Sequence, residues 1–324
     1  MAQAYTRDPM HPVVEGLFQA IFATRPAERV MDAEILRAGD ALAAVGFNIG
    51  APSLPVEREI TIPGPAGDLR ALVFAPREAG GAALPVVVYF HGGGFVILTP
   101  ESSAKIAKRM AQNVGAVVVS IDYRRAPEHP YPAPLDDCIA AFRWVRAHAA
   151  SLGGDPARVG VGGDSAGGNL AAATALRLLA EGDSPPAAAV LMCPWLDMEM
   201  DSPSFRAYGP TDALIDDVVM TYWRDSYTDD PAVWANPLAS PLRGDLSAFP
   251  PTCVLAGGID PLCDEDVQFA EKLKAAGRDV ELHEYAGMAH IWSFFPQLDG
   301  LTDVDARIGA FLRRVFGSEA ILPA

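Results

Sequence analysis

Clustered positive charge is the most conspicuous thing missing from this sequence. Its 324 residues carry 25 Lys and Arg against 41 Asp and Glu, a net charge of −16, and no dense basic block interrupts it. Phosphate backbones and anionic bilayers recruit clustered Lys and Arg, so nucleic acid and membrane surfaces are excluded as expected partners. Long apolar runs are missing as well. No stretch approaches the roughly 18 apolar residues that suggest a membrane span. The opening MAQAYTRDPMHPVVEG has no apolar core of signal-peptide length. A cytoplasmic location is the expectation.

Cysteine is scarce. Cys138, Cys193, Cys253 and Cys263 stand singly in apolar surroundings with no CxxC pair, so they read as reduced, buried thiols and not as a zinc or redox site. No HExxH pattern occurs either, and no metal site is expected. What the chain does have is apolar mass. Half of it is hydrophobic, and a chain of this length buries about three quarters of its unfolded surface when compact. It needs no staples.

Short, nearly continuous Val/Ile/Leu runs lie at residues 69–75, 85–90, 116–121, 158–162, 188–193, 252–256 and 280–285. Runs of this kind suit strands covered on both faces. Segments of helical length separate them at 102–113, 135–149, 167–181 and 264–276, with another at 304–316. The alternation predicts an α/β fold built on a mostly parallel sheet wrapped by helices. Two stretches break the rhythm. Residues 1–50 read as helices without a strand, and 196–242 is rich in Pro, Asp and aromatics. A non-alternating insertion after a strand in this architecture lies over the strands' carboxyl ends, where ligands bind. The expected organisation is a catalytic unit from 51–195 and 243–324, with a cap from 1–50 and 196–242.

Gly163-Asp164-Ser165-Ala166-Gly167 falls between the run at 158–162 and the helical segment behind it. A serine on such a strand-to-helix turn is strained, its hydroxyl projects over the sheet, and only small neighbours fit beside it. The following helix aims its amino terminus at the hydroxyl. A plain glycine-rich turn is the alternative for so short a pattern. A second glycine cluster, His91-Gly92-Gly93-Gly94-Phe95, follows the run at 85–90. Its backbone N–H groups can approach a bound oxygen, and Gly92, Gly93 and Ala166 are the expected oxyanion donors. Read by itself, the cluster is equally a flexible loop.

An activated serine needs a base, and the chain has only 6 histidines. His11 is near the start, His129 lies in a Pro-rich stretch, and His148 sits in a helical segment. His91 belongs to the glycine loop and shapes it. His283 lies inside the run at 280–285, where structural burial is the simpler reading. His290 follows that run in a loop, and it is the candidate base. The third member should follow the preceding strand, which places Asp260 at its end, able to accept from the imidazole and stabilise its charged form. Asp264, Glu265 and Asp266 compete, but they stand at a helix start, where acids act as caps and dipole partners. The order Ser, Asp, His is that of α/β-hydrolases.

With these residues in place, the sequence resembles the hormone-sensitive-lipase-like family of carboxylesterases over about residues 55–316. The glycine cluster at 91–95 is similar to the family's oxyanion motif, and residues 163–170 to its nucleophile elbow. Asp122-Tyr123-Arg124-Arg125-Ala126-Pro127-Glu128-His129 resembles its DYRLAPEH stretch, with Arg125 where an apolar residue is usual. Asp260-Pro261-Leu262 and Gly287-Met288-Ala289-His290 resemble its acid and histidine loops, although Ile291-Trp292 replaces the usual Gly-Phe.

The resemblance implies an eight-stranded α/β-hydrolase sheet with a helical cap, no cofactor, structural roles for Asp122, Arg124 and Glu128, and a homodimer through the exposed edge of the last strand. It also implies hydrolysis of short- to medium-chain or aryl esters through a serine acyl-enzyme. Phe95, Asp164, Phe205, Tyr208, Ile291 and Trp292 are the candidate substrate contacts, with cap packing as the alternative for the cap aromatics. The same triad would serve an amidase or lactonase, and the same scaffold a non-catalytic small-molecule receptor.

Overall fold

Each of the continuous apolar runs becomes a strand of one sheet. A computed structural model describes residues 9–26 and 29–317, apart from the side chain of residue 42. The expected outer boundaries at 1 and 324, and residues 27 and 28 of the expected cap, lie outside the described residues. The strands are β1 (Val56–Gly64), β2 (Gly67–Ala75), β3 (Leu84–Phe90), β4 (Val117–Asp122), β5 (Gly154–Asp164), β6 (Ala189–Met192), β7 (Thr252–Gly257) and β8 (Val280–Tyr285). They order as β1-β2-β4-β3-β5-β6-β7-β8, antiparallel from β1 through β2 to β4 and parallel from there on.

The period of two in a strand divides the core. Val86, Val88 and Phe90 of β3 pack into the apolar cluster on one face, while Val87 and Tyr89 pack into that on the other, all fully buried. Helices cover both faces, as the alternation predicts. They are α1 (Pro12–Thr24), α2 (Ala33–Phe47), α3 (Ala104–Val114), α4 (Ala133–His148), α5 (Ala166–Ala180), α6 (Pro203–Tyr208), α7 (Asp217–Tyr227), α8 (Pro231–Trp234), α9 (Cys263–Ala275) and α10 (Val304–Phe316). Among the described residues, no helix is long and apolar enough to cross a membrane.

Two strands depart from the sequence reading. Residues 56–64 carry no continuous apolar run, yet they form β1, which pairs with β2 from Val56 opposite Ala75 to Gly64 opposite Gly67. At the edge of the sheet only one face needs covering, so Val56 and Ile62 are buried while Glu57, Arg58 and Glu59 are exposed. At the opposite end β8 is half-exposed along its length and not covered on both faces. An end strand is shielded by a neighbour on one side only.

The helices of residues 196–242 and the amino-terminal segment meet. Asp216 caps α7 by accepting from Val219 N–H, and its carboxylate also takes Arg25 at 2.9 Å and Arg29 at 2.7 Å. α2 is fastened to the loop after β3. Arg37 donates to the carbonyls of Val96 and Ala126, each at 2.8 Å, and forks onto both oxygens of Glu128. Asp122 pairs with Arg70 at 2.9 Å, and Arg124 clasps the buried Asp137. These three residues of the stretch 122–129 therefore tie strands and helices together.

Candidate active site

Ser165 closes β5 and opens α5 at φ +55° and ψ −121°, a backbone conformation that L residues avoid. Its surroundings enforce it. The Ser165 N–H donates to Met192 O at 2.9 Å, and its carbonyl accepts from the Asn169 and Trp195 N–H groups at 3.1 Å. The flanking glycines are required by close approach. A Cβ on Gly167 would lie 2.0 Å from Phe90 O, and one on Gly163 2.3 Å from Gly167 O. The hydroxyl thus stands at the amino terminus of α5, where the helix dipole favours developing negative charge.

Beyond β8 the chain turns through Gly287 at φ +70°, whose carbonyl takes the His11 N–H at 3.0 Å. The turn delivers His290, 2% exposed, to Asp260, which is fully buried at the end of β7. His290 Nδ1 lies 2.8 Å from Asp260 Oδ2, and Asp260 Oδ1 accepts from Leu262 N–H at 2.9 Å. Burial disfavours the imidazolium, but the charge and hydrogen bond of Asp260 outweigh it. Asp212 and Asp164 add to that pull, so His290 titrates above its ordinary value.

Ser165 and His290 open onto one cavity of about 110 Å³, which Gly93, Asp164 and Ile291 also line. Other candidate contacts lie elsewhere. Phe95 is fully buried and stacks on Tyr227 with ring centroids 3.8 Å apart. Trp292 turns behind His290, beside Val14 and Phe18 of α1, and its Nε1 donates to Thr302 at 3.3 Å. Phe205 and Tyr208 of α6 are not among the lining residues. Phe205 is spent on packing in the apolar core, and Tyr208 packs against the opposite cluster. In their place the cavity takes Asp40 and Phe47 from α2 and Leu98, Ile215 and Trp223 from further along the chain. Arg37, Asp40, Ala44 and Phe47 share one face of a helix by their spacing, the signal that marks this edge of α2.

Of the three expected oxyanion amides, Gly93 borders the cavity at φ +97°. The Ala166 N–H, first in α5, has no acceptor within its helix. Gly92 is set back against Asp164, whose Oδ2 would lie 2.2 Å from a Cβ at that position. Asp164 is buried and accepts from Tyr89 OH at 2.6 Å, and burial above all pushes its carboxyl up to about 6. His91 holds the loop from behind. It lies 2.9 Å from Gly92 O through Nδ1, stacks on Tyr123, and is pushed down to about 3 chiefly by burial, so it stays neutral.

The acids after Asp260 do not cap α9. Asp264 accepts from Ser204 N–H at 2.8 Å, and the buried Glu265 accepts from Leu196 N–H at 2.6 Å, which fastens the helix to the start of the insertion. His283 is half-buried beside Glu281 at 3.3 Å. The four cysteines are free and buried. Among the described residues, the one set of three donors close enough to share a metal ion is Cys193, Asp260 and His290, within 4.8 Å of one another. There the imidazole Nδ1 is already committed to Asp260.

Residues 87–294 match a family described as having the alpha/beta hydrolase fold. Carboxylesterase NlhH of Mycobacterium tuberculosis is 42% identical over 211 residues, which covers 64% of this chain and 66% of that protein. Carboxylic ester hydrolase LipN of the same organism is 35% identical over 281 residues, 83% of this chain and 73% of its own. Among solved structures, a hyperthermophilic esterase from the archaeon Pyrobaculum calidifontis superposes with a TM-score of 0.87 at 34% identity, covering 93% of this chain and 98% of that one.

Proposed function

The chain belongs to the hormone-sensitive-lipase-like carboxylesterases of the alpha/beta hydrolase fold, and from that premise we propose that it hydrolyses short- to medium-chain or aryl esters through an acyl-enzyme on Ser165. The observation that carries this reading is the strained Ser165 sharing one cavity with His290, whose Nδ1 is held by Asp260. His290 takes the Ser165 proton as the hydroxyl oxygen attacks the ester carbonyl. Gly93 and Ala166, with Gly92 behind them, offer N–H groups to the oxyanion. Collapse of the tetrahedral intermediate breaks the bond to the alkoxy oxygen, which leaves as the alcohol with the proton from His290. Water, deprotonated by the same imidazole, then releases the acid.

A cavity of about 110 Å³ suits small acyl and alcohol arms better than triglyceride chains. Carboxyl groups at Asp40, Asp164 and Asp212 around it favour uncharged esters over anionic ones. The segments 1–50 and 196–242 serve as the cap over this cavity, since α2 supplies Asp40 and Phe47 to its wall, α7 supplies Trp223 and the bend before α7 supplies Ile215. The outer edge of β8 is available for pairing two copies, and four free cysteines suit the cytoplasm.

Ser165→Ala should abolish hydrolysis of p-nitrophenyl butyrate and covalent labelling by a fluorophosphonate. Wild-type rates in that variant would refute the assignment. Matched anilides should be far poorer substrates than the esters, which separates an esterase from an amidase.

A further inference from the structure

The cavity beside Ser165 holds two polar groups that the proposed reaction does not use. Asp40 comes from α2, one turn beyond the Arg37 clamp, and its Oδ2 is buried without a hydrogen-bond partner among the described residues. Trp223 comes from α7 and packs over Gly94, where a Cβ would lie 2.2 Å from its ring. Its Nε1 is likewise buried and unpartnered. One is an acceptor and the other a donor, and buried groups of either kind are costly to leave unpaired.

The backbone around Asp40 is arranged to keep it there. Leu98, also on the cavity wall, stands at φ +63°, a left-handed conformation unfavourable to a bulky side chain. Arg125 donates to Leu98 O at 2.7 Å, and this arginine is the residue that replaces an apolar one in the stretch 122–129. Burial pushes the Asp40 carboxyl up to about 6, against the Leu98 N–H and the charge of Arg125. The group is thus mostly ionised at neutral pH, poorly solvated and short of one hydrogen bond, on a side chain that lines the cavity.

We propose that Asp40 and Trp223 form a polar subsite for a hydroxyl carried on one arm of the ester, with Asp40 Oδ2 accepting from the hydroxyl and Trp223 Nε1 donating to it. This rests on reading Ser165 as the ester-hydrolysing nucleophile. A hydroxyl donates and accepts at a single oxygen, so it answers both groups together. An ammonium would satisfy Asp40 alone, and a methyl would satisfy neither. Asp40 and Trp223 are specificity residues in this assignment, remote from the bond that breaks.

Two isosteric series test it. Acetates of ω-hydroxyalkyl alcohols are compared with n-alkyl acetates in which a methyl replaces the hydroxyl, and ethyl ω-hydroxyalkanoates are compared with the matching ethyl alkanoates. kcat/KM is measured for each pair with the wild type, Asp40→Leu, Asp40→Ala and Trp223→Phe. At the arm length that reaches the subsite, the hydroxyl-to-methyl ratio should be on the order of tenfold higher in the wild type than in the Asp40 variants, and Trp223→Phe should lower it too. A ratio left unmoved at every arm length by the Asp40 variants, or by Trp223→Phe, overturns the subsite. Should Asp40→Leu fail to fold, Asp40→Ala carries the comparison, because alanine suits a helix interior. Fluorophosphonate titration counts active sites in each preparation. A wild type that does not label sinks the reading of Ser165, whereas a labelled enzyme with unchanged ratios sinks the subsite alone.

Discussion

His290 Nδ1 and Asp260 Oδ2 meet at 2.8 Å with both side chains sealed from solvent. In such a place desolvation and ion pairing oppose each other, and the carboxylate wins, so the imidazole titrates above its usual 6.5. A general base must be neutral before it accepts a proton. kcat/KM should therefore rise with pH along an acid limb centred above 6.5. Asp260→Asn removes the largest raising influence, so its limb should move to lower pH while kcat falls, by as much as about 10⁴-fold. pH-rate profiles on p-nitrophenyl acetate measure both. A wild-type limb centred below 6.5 would mean that burial outweighs Asp260 at His290.

Asp212 acts on the same equilibrium from farther away. Burial pushes its carboxyl up to about 6, so near neutral pH it is mostly ionised and its charge adds to that of Asp260 at His290. One of its oxygens accepts from the Leu214 and Ile215 N–H groups at 2.7 and 2.8 Å, bonds that an asparagine oxygen can keep. Asp212→Asn should shift the acid limb downward by less than Asp260→Asn does, with plateau kcat nearly unchanged. A limb that stays in place would show that solvent screens this charge.

Gly93 carries a sharper constraint. At φ +97° a side chain is strained whatever the space, and a Cβ would lie 2.3 Å from Ile97 O. Gly93→Ala must open the turn that Val96 and Ile97 close by donating to Gly93 O. The loss of one well-placed oxyanion donor costs about 3 kcal/mol of barrier. kcat should fall about a hundredfold or more, with KM changed far less. A variant that loses KM alone would place Gly93 in substrate binding instead.

How much of this was legible in the sequence follows from how local each feature is. Ser165, Asp260 and His290 each sit in the turn or loop that follows a strand announced by its own run, and because those strands run parallel their following loops gather at one end of the sheet. β1 escaped because an edge strand covered on one face shows weak alternation, as in Glu57-Arg58-Glu59-Ile60-Thr61-Ile62. Asp40 and Trp223 are harder still. Asp40 reads as an ordinary helix residue and Trp223 as one of several cap aromatics with packing as the alternative, and their arrival on one cavity wall depends on contacts between distant segments, with Arg37 fixing α2 to Val96, Ala126 and Glu128. Phe95 reads as a pocket residue by its place in the glycine motif, but a stacking partner from α7 takes it into the core.

Glu265 makes the last prediction, because its charge state decides what its neighbours tolerate. The side chain is buried on α9 and accepts from Leu196 N–H at 2.6 Å. Burial pushes its carboxyl well above the usual range. The Leu196 N–H opposes that shift, while the charges of Asp197 and Asp260 reinforce it. A carboxyl raised on folding contributes stability that is complete below its unfolded pKa, about 4.3, and is lost as pH rises through the folded one. Glu265→Gln keeps the acceptor and removes this dependence. Its stability should match the wild type within about 0.5 kcal/mol near pH 4, where the glutamate is largely protonated in both the folded and the unfolded chain, and it should already exceed the wild type at neutral pH and gain further as pH rises. Glu265→Leu leaves the Leu196 N–H without a partner and should lie about 1–3 kcal/mol below the glutamine variant at any pH. Urea unfolding from about pH 4 to the alkaline range compares the three. A glutamine variant as unstable as the leucine one would mean that Glu265 is ionised in the folded chain.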